Sequence, residues 1–277
     1  MTQPADKHVK KSAASEWWDT FVVIVEALLI AIVLRFFLYQ PFSIPTASMQ
    51  QTLMIGDYFV ANKFVWGYGK HSFSLGRYGN FALLDFELPI ANRILGRDPN
   101  RGDVAVFRPV PQNMEYIKRI VGMPGDRIQV TNGVLHINGK PVDRLRIGDY
   151  VKGSNGHYQK GTLYSETLPN GRRFTVLEYT DNGMADNTPE FLVPAGNYFV
   201  MGDNRDDSLD SRTRLMLRDF SGSTRDRDQL GWYVPAENLV GRAEFIFFSH
   251  DPSVAGWLEP WKWPQAIRFS RFFQAIH

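Results

Sequence analysis

Cysteine is absent from all 277 residues, which removes disulfides, thiolate metal sites and cysteine nucleophiles in one step. An excess of one charge is missing too. Thirty-one basic residues face 29 acidic ones, and a net charge of +2 gives no bulk electrostatic case for nucleic acid. The six histidines, His8, His71, His136, His157, His250 and His277, fall in no HExxH or comparable spacing, so no metal site is expected. No internal repeat or low-complexity run is present. With 44% hydrophobic and 22% charged residues the composition is that of a folded chain. Long hydrophobic runs are scarce as well, and one segment alone reaches membrane length.

That segment is residues 17–39, WWDTFVVIVEALLIAIVLRFFLY. Crossing a bilayer takes roughly 20 helical residues. Trp17, Trp18 and Tyr39 stand at its two ends, where aromatic belts are expected. Arg35 can snorkel to the interface, whereas Glu26 is costly near mid-membrane unless it faces a partner or water. A buried helix of a soluble domain is the other reading of the same run. Ahead of it, Lys7, Lys10 and Lys11 stand against Asp6 and Glu16, so the positive-inside rule places the tail 1–16 in the cytoplasm and the rest of the chain outside. A cut after Ala47 would put Pro45 at −3, and no A-x-A follows the apolar run, so an uncleaved signal anchor is expected.

Beyond the anchor the patterns are those of strands. DYFVANKF at 57–64, RGDVAVFR at 101–108, NYFVMGDN at 197–204 and NLVGRAEFIFF at 238–248 are strand-like, and Asn-Gly pairs at 132–133 and 138–139 mark hairpins. The expected fold is mainly β, an antiparallel β-sheet ectodomain after one transmembrane helix. Its division reads as 40–142 and 197–248 for the two parts of the main β domain, 143–196 for an inserted β-hairpin subdomain, and 249–277 for an aromatic and basic tail. In that tail, 257–273 has a composition suited to a membrane interface, and a plain packing segment is the equal alternative. Residues 66–80 and 213–230 read as irregular loops, and 81–90 as either a core strand or a patch resting on the membrane surface.

Three stretches carry the chemistry: IPTASMQQTLMIGD at 44–57, YIKRIVGMPGD at 116–126 and MGDNRDDSLDSR at 201–212. Taken singly they are weak, since Ser48 lies in an ordinary small-residue turn and Lys118 is as well explained as a solvated lysine on a strand. Amide hydrolysis needs a nucleophile, a base and oxyanion donors. None of the three stretches contains a histidine, so the base must be another group. A lysine whose pKa is lowered by burial can serve, and strand alternation would turn Lys118 with Ile120 toward the core.

In this order and after an N-terminal anchor, the three stretches resemble the bacterial type I signal peptidases, or leader peptidases, membrane-bound serine proteases with a Ser–Lys dyad. RGDVAVFR resembles a fourth motif of that family, and the resemblance covers 17–64, 101–142 and 197–248. It implies Ser48 as nucleophile and Lys118 as general base, with an oxyanion hole made of the Ser48 N–H and the Thr46 hydroxyl. It also implies that Ser208 hydrogen-bonds the lysine and that Asp210, Arg212, Arg119 and Asp203 support the site. Ile44 and Ile117 would wall shallow pockets that admit the small residues at −1 and −3 of signal peptides. The substrate would lie extended on the sheet edge.

The implied partners are signal peptides, the lipid bilayer and, indirectly, the export machinery, with no nucleic acid and no cofactor. The implied location is the bacterial inner membrane, single-pass, with a periplasmic catalytic domain. Two departures stand out: Gln51 occupies a position where the family commonly has proline, and 213–230 lengthens the link to GWYVP. The rival readings are a self-cleaving Ser–Lys repressor-type protease and a tethered β-domain that binds extended peptides or scaffolds an envelope complex.

Overall fold

In a computed structural model, residues 13–277 are described apart from 75–76, 79–80, 83–84, 87–89, 91–92, 110–113, 155–156, 221–232 and 257. Lys7, Lys10 and Lys11, on which the expected orientation rests, lie outside the described residues.

The chain begins with helix α1, Ala13–Phe37. Its apolar window, Glu16–Phe37, has none of its length buried inside the protein. A largely apolar helix that is unburied ahead of its last turn suits lipid and is not the buried core helix of the alternative reading. Its last turn is firmly joined to the sheet. Phe36 and Phe37 set their rings 5.1 and 5.6 Å from that of Phe73, and the Lys63 N–H donates to the Leu38 carbonyl at 2.8 Å.

Beyond the helix the chain folds as antiparallel sheet. Seven strands lie side by side in the order Tyr39–Ser43, Asp57–Asn62, Leu239–Ser249, Val104–Phe107, Tyr116–Gly122, Asn197–Met201 and Val234–Pro235. A four-stranded sheet holds Arg127–Thr131 and Val134–Ile137 at its centre, and three longer strands, Asp143–Ser154, His157–Thr167 and Arg173–Glu178, make a third. The Asn-Gly pairs turn as expected. Asn132 and Gly133 have φ of 50° and 76°, and Asn138 and Gly139 have 54° and 76°, the doubly left-handed signature of a type I′ turn.

One apolar cluster lies beneath residues 44–57, joining Ile44, Met49 and Leu53 to Phe59, Val106 and Ile246. A second fills the space between sheets with Val121, Ile128, Val176, Phe199 and Leu215.

Two expected loops are more regular than their composition suggests. Residues 66–80, together with 81–90, contribute two short ladders, Phe73–Ser74 with Asp85–Phe86 and Arg77–Tyr78 with Phe81–Ala82. The stretch expected to be a loop from 213 starts inside helix α2, Ser211–Phe220, which buries Thr213 and Leu215, while 221–230 lies outside the described residues. The C-terminal segment packs against the sheet at several points: Ala275 bridges Phe245, Ile267 bridges His250, and Ile276 joins the cluster under the 44–57 loop. Trp261, Phe269 and Phe273 remain exposed.

Candidate active site

The 44–57 segment is a closed loop. Its neck is fastened by Ile44 N–H donating to the Asp57 carbonyl at 2.9 Å and Gly56 N–H to the Ile44 carbonyl at 3.0 Å. Inside it, the Met49 carbonyl accepts from Thr52 N–H at 3.1 Å and Leu53 N–H at 2.7 Å, while the side chains of Met49 and Leu53 are fully buried. Gln51, the noted departure, has φ of +87°, a value that proline's ring forbids. The turn is therefore one that a proline-bearing loop cannot make.

Ser48 sits in this loop at 7% exposure, and Lys118 at 4% on the strand Tyr116–Gly122. Seventy residues apart in sequence, their Nζ and Oγ are 2.6 Å apart. Lys118 also donates to the Ile117 carbonyl at 3.0 Å, which leaves its remaining valences to face the serine. Burial lowers the Lys118 pKa to about 8, against the pull of Asp210 and Asp203, which raise it, and with some help from Arg212. A lysine so placed is substantially neutral in weakly alkaline solution. Strand alternation alone does not single it out, because the strand is buried on both faces from Lys118 to Gly122.

Two buried ion pairs flank the dyad. Arg119 grips Asp203 with two bonds, Nε to Oδ1 at 2.8 Å and Nη2 to Oδ2 at 2.7 Å, and Arg212 grips Asp210 likewise at 3.0 and 2.8 Å. Such fork-to-carboxylate pairs combine charge with fixed geometry. Burial would raise the Asp210 carboxyl, but Arg212 and the Gly202 N–H outweigh it and hold the group below its ordinary value.

Ser208 departs from expectation. It is buried beside the dyad and lines the same cleft, yet its hydroxyl makes no hydrogen bond to Lys118. The two donor contacts of the lysine are taken by Ser48 and Ile117 instead.

Ser48, Lys118, Thr46, Ile44 and Ile117 all line one cleft of about 520 Å3, so the expected nucleophile, base, hydroxyl and pocket walls meet in one place. Among the described residues nothing accepts the Ser48 N–H.

Three contacts escape a reading of the motifs. Thr52 bridges Arg119 and Asp203 through its hydroxyl. Asn204 N–H donates to the Ser48 carbonyl, and its Nδ2 donates to the Ala47 carbonyl at 3.1 Å. Arg271 reaches back from the C-terminal segment to Asp57 and to the Thr52 carbonyl. Thr52 and Asn204 stand inside the recognised stretches, and their position there was the signal that could have found them. Nothing local marks Asp57 as the partner of a residue 214 positions away.

The model of the family described as signal peptidase, peptidase S26, matches residues 17–248. The chain belongs to that family. Signal peptidase I of Rickettsia akari (strain Hartford) is 35% identical over 292 residues, spanning 100% of this chain and 98% of that protein. Signal peptidase I of Rickettsia rickettsii (strain Sheila Smith) is 35% identical over 297 residues with the same shares. A crystal structure of a signal peptidase I from Enterococcus faecalis V583 aligns at 22% identity over 53% of this chain and 97% of that one, with a TM-score of 0.28. As an S26 member the chain is a serine peptidase, and helix α1 makes it a membrane-anchored one.

Proposed function

We propose that this peptidase removes N-terminal signal peptides from exported preproteins, with Ser48 as nucleophile and Lys118 as general base. The observation that carries the roles is the 2.6 Å approach of a buried, pKa-lowered lysine to a serine hydroxyl at the bottom of an apolar cleft. Neutral Nζ accepts the Ser48 proton as Oγ adds to the scissile carbonyl. Charge develops on the carbonyl oxygen, where the Ser48 N–H and the Thr46 hydroxyl donate to it. The protonated lysine then gives its proton to the departing amine, leaving an ester on Ser48; water gives a proton to Lys118 as its oxygen adds to the ester carbonyl, and Lys118 passes that proton to Ser48 Oγ as the C–Oγ bond breaks and the acid leaves.

Ile44 and Ile117 line the cleft and favour small side chains at −1 and −3, because steric clash excludes bulk. The strand Tyr39–Ser43 is the outer strand of the seven-stranded sheet and leads straight into the nucleophile loop, so an extended substrate can pair beside it. The proposed setting is the bacterial inner membrane, with residues 1–16 cytoplasmic and the β domains, 40–142 and 197–248 with the insertion 143–196, on the periplasmic side. The segment 249–277 adjoins the lipid surface, and the export machinery is a partner only through the shared preprotein.

The experiment is cleavage of a preprotein with an A-x-A site by detergent-solubilised Ser48→Ala and Lys118→Met, each checked for a wild-type circular dichroism spectrum. Loss of turnover in both is expected. Turnover at the wild-type rate in either would end the dyad reading.

A further inference from the structure

The cleft extends beyond the two isoleucine pockets, and its outer part has a different chemistry. Met184 and Leu209 line it while 71% and 43% exposed, so neither is core and both offer apolar surface to whatever lies there. Methionine adapts to varied shapes at modest cost.

The position of this rim is set by its neighbours. Asp206 accepts the N–H of Tyr179 at 2.7 Å and of Thr180 at 3.0 Å, which ties the turn bearing Met184 to the loop bearing Leu209. The two apolar groups thus face the cleft from one braced unit, part inserted subdomain and part 201–212 loop.

Three carboxylates also line the cleft, and two are occupied. Asp206 is taken by those two N–H groups, and Glu115 by Arg108 at 3.1 Å. Asp207 is exposed and, among the described residues, has no ion-pair or hydrogen-bond partner. Apart from Lys118, which is buried and bonded to Ser48, no cation among the described residues lines the cleft to neutralise it.

We propose that Asp207, Met184 and Leu209 form a further substrate subsite that selects a basic residue near the scissile bond and disfavours an acidic one. The aliphatic stem of a substrate lysine or arginine packs on Met184 and Leu209 while its charged head reaches the Asp207 carboxylate. An acidic side chain at the same place meets an unneutralised like charge in a partly desolvated groove. Asp207 also acts on Lys118 from a distance, which supports its nearness to the reacting groups. The subsite rests on the reading of Ser48 and Lys118 as the catalytic pair.

The test uses the full-length chain in detergent and synthetic peptides with one A-x-A cleavage site, in which each flanking position in turn carries Lys, Gln, Glu or norleucine. At one position, kcat/KM should be about tenfold higher for Lys than for Glu, a ratio in the range of a partly exposed charge interaction. Asp207→Asn should bring that ratio close to unity while leaving the Gln peptide within about twofold of wild type, and Met184→Ala should weaken the Lys and norleucine peptides alike. No position that distinguishes Lys from Glu, or a ratio that survives Asp207→Asn, overturns the subsite. Ser48→Ala serves as the control. Peptides that it still cleaves would instead count against the dyad, whereas Ser48-dependent cleavage without charge preference counts against the subsite alone.

Discussion

The Asn204 main-chain N–H donates to the Ser48 carbonyl at 3.1 Å, so the loop carrying the supporting charges also grips the peptide that bears the nucleophile. The approach is so close that there is no room for a side chain at Gly202. A methyl carbon built there would lie 2.2 Å from Ser208 Oγ and 2.5 Å from the Ser48 carbonyl oxygen.

Gly202→Ala must therefore push the two loops apart. Displacements of about 1 Å at a reacting centre cost on the order of 100-fold in rate. The expected result is a fall of that size in kcat with an intact fold by circular dichroism, and an alanine variant of normal activity would show that the loops are not held this tightly.

The lowered pKa of Lys118 fixes the sign of the pH dependence. Below about 8 the amine is protonated and cannot accept from Ser48, so kcat/KM should fall about tenfold per pH unit on the acidic side and level off above it. The same shift affects stability. Between about 8 and the ordinary lysine value the unfolded chain binds a proton that the folded one does not, so the native state gains stability as pH rises through that window. Melting curves of the wild type and Lys118→Met across the window should diverge, with the slope attributable to Lys118 lost in the variant.

Gln51 tests the turn itself. At φ of +87° a glycine is at ease and a proline is impossible without rebuilding residues 49–53. Gln51→Gly should leave activity within about twofold, and Gln51→Pro should lower both the melting temperature and kcat, the strain of a misfitting proline being about 3 kcal/mol. Full activity and stability in the proline variant would mean that the loop tolerates the other conformation.

Arg271 binds the fully buried Asp57 with Nε at 3.0 Å and Nη2 at 2.6 Å, at the closing end of the nucleophile loop. Removing one partner of a buried pair costs about 3–5 kcal/mol. Asp57 keeps bonds from Ser249 Oγ at 2.6 Å, Met54 N–H at 2.7 Å and the Arg268 guanidinium at 3.5 Å, so the low end, about 3 kcal/mol, is expected for Arg271→Ala in denaturant melts. A loss under about 1 kcal/mol would show that the clasp is dispensable.

Much of the site was legible because its chemistry lies in short runs of sequence: Ser48, Lys118, Arg119, Asp203, Asp210 and Arg212 all stand inside three recognisable stretches, the first two lining one cleft and the other four forming two buried ion pairs. What was not legible depends on long-range pairing. Arg268 and Arg271 looked like basic residues of an interfacial tail, yet both reach Asp57, which in the sequence is only the first residue of the strand-like run 57–64. Helix α2 escaped notice because Arg212 and Arg214 interrupt its apolar face, although Leu215 and Thr213 are buried. The long strands Asp143–Ser154 and His157–Thr167 lack clean alternation, since Leu145, Ile147, Val151 and Tyr158 are exposed and the register shifts between Arg146 and Gly148. Ser208 shows the converse limit, a residue placed by motif whose predicted bond to Lys118 is not made.

The junction between helix α1 and the first strand has one more consequence. Phe36 and Phe37 are wedged against Phe73, Lys63 closes onto Leu38, and five residues of paired strand lead to the loop that holds Ser48. No free linker separates the two, so the place of Ser48 relative to the end of helix α1 is set by paired backbone and packed rings. A membrane-anchored enzyme searches two dimensions rather than three, and this junction ties its cutting edge to the end of the anchor.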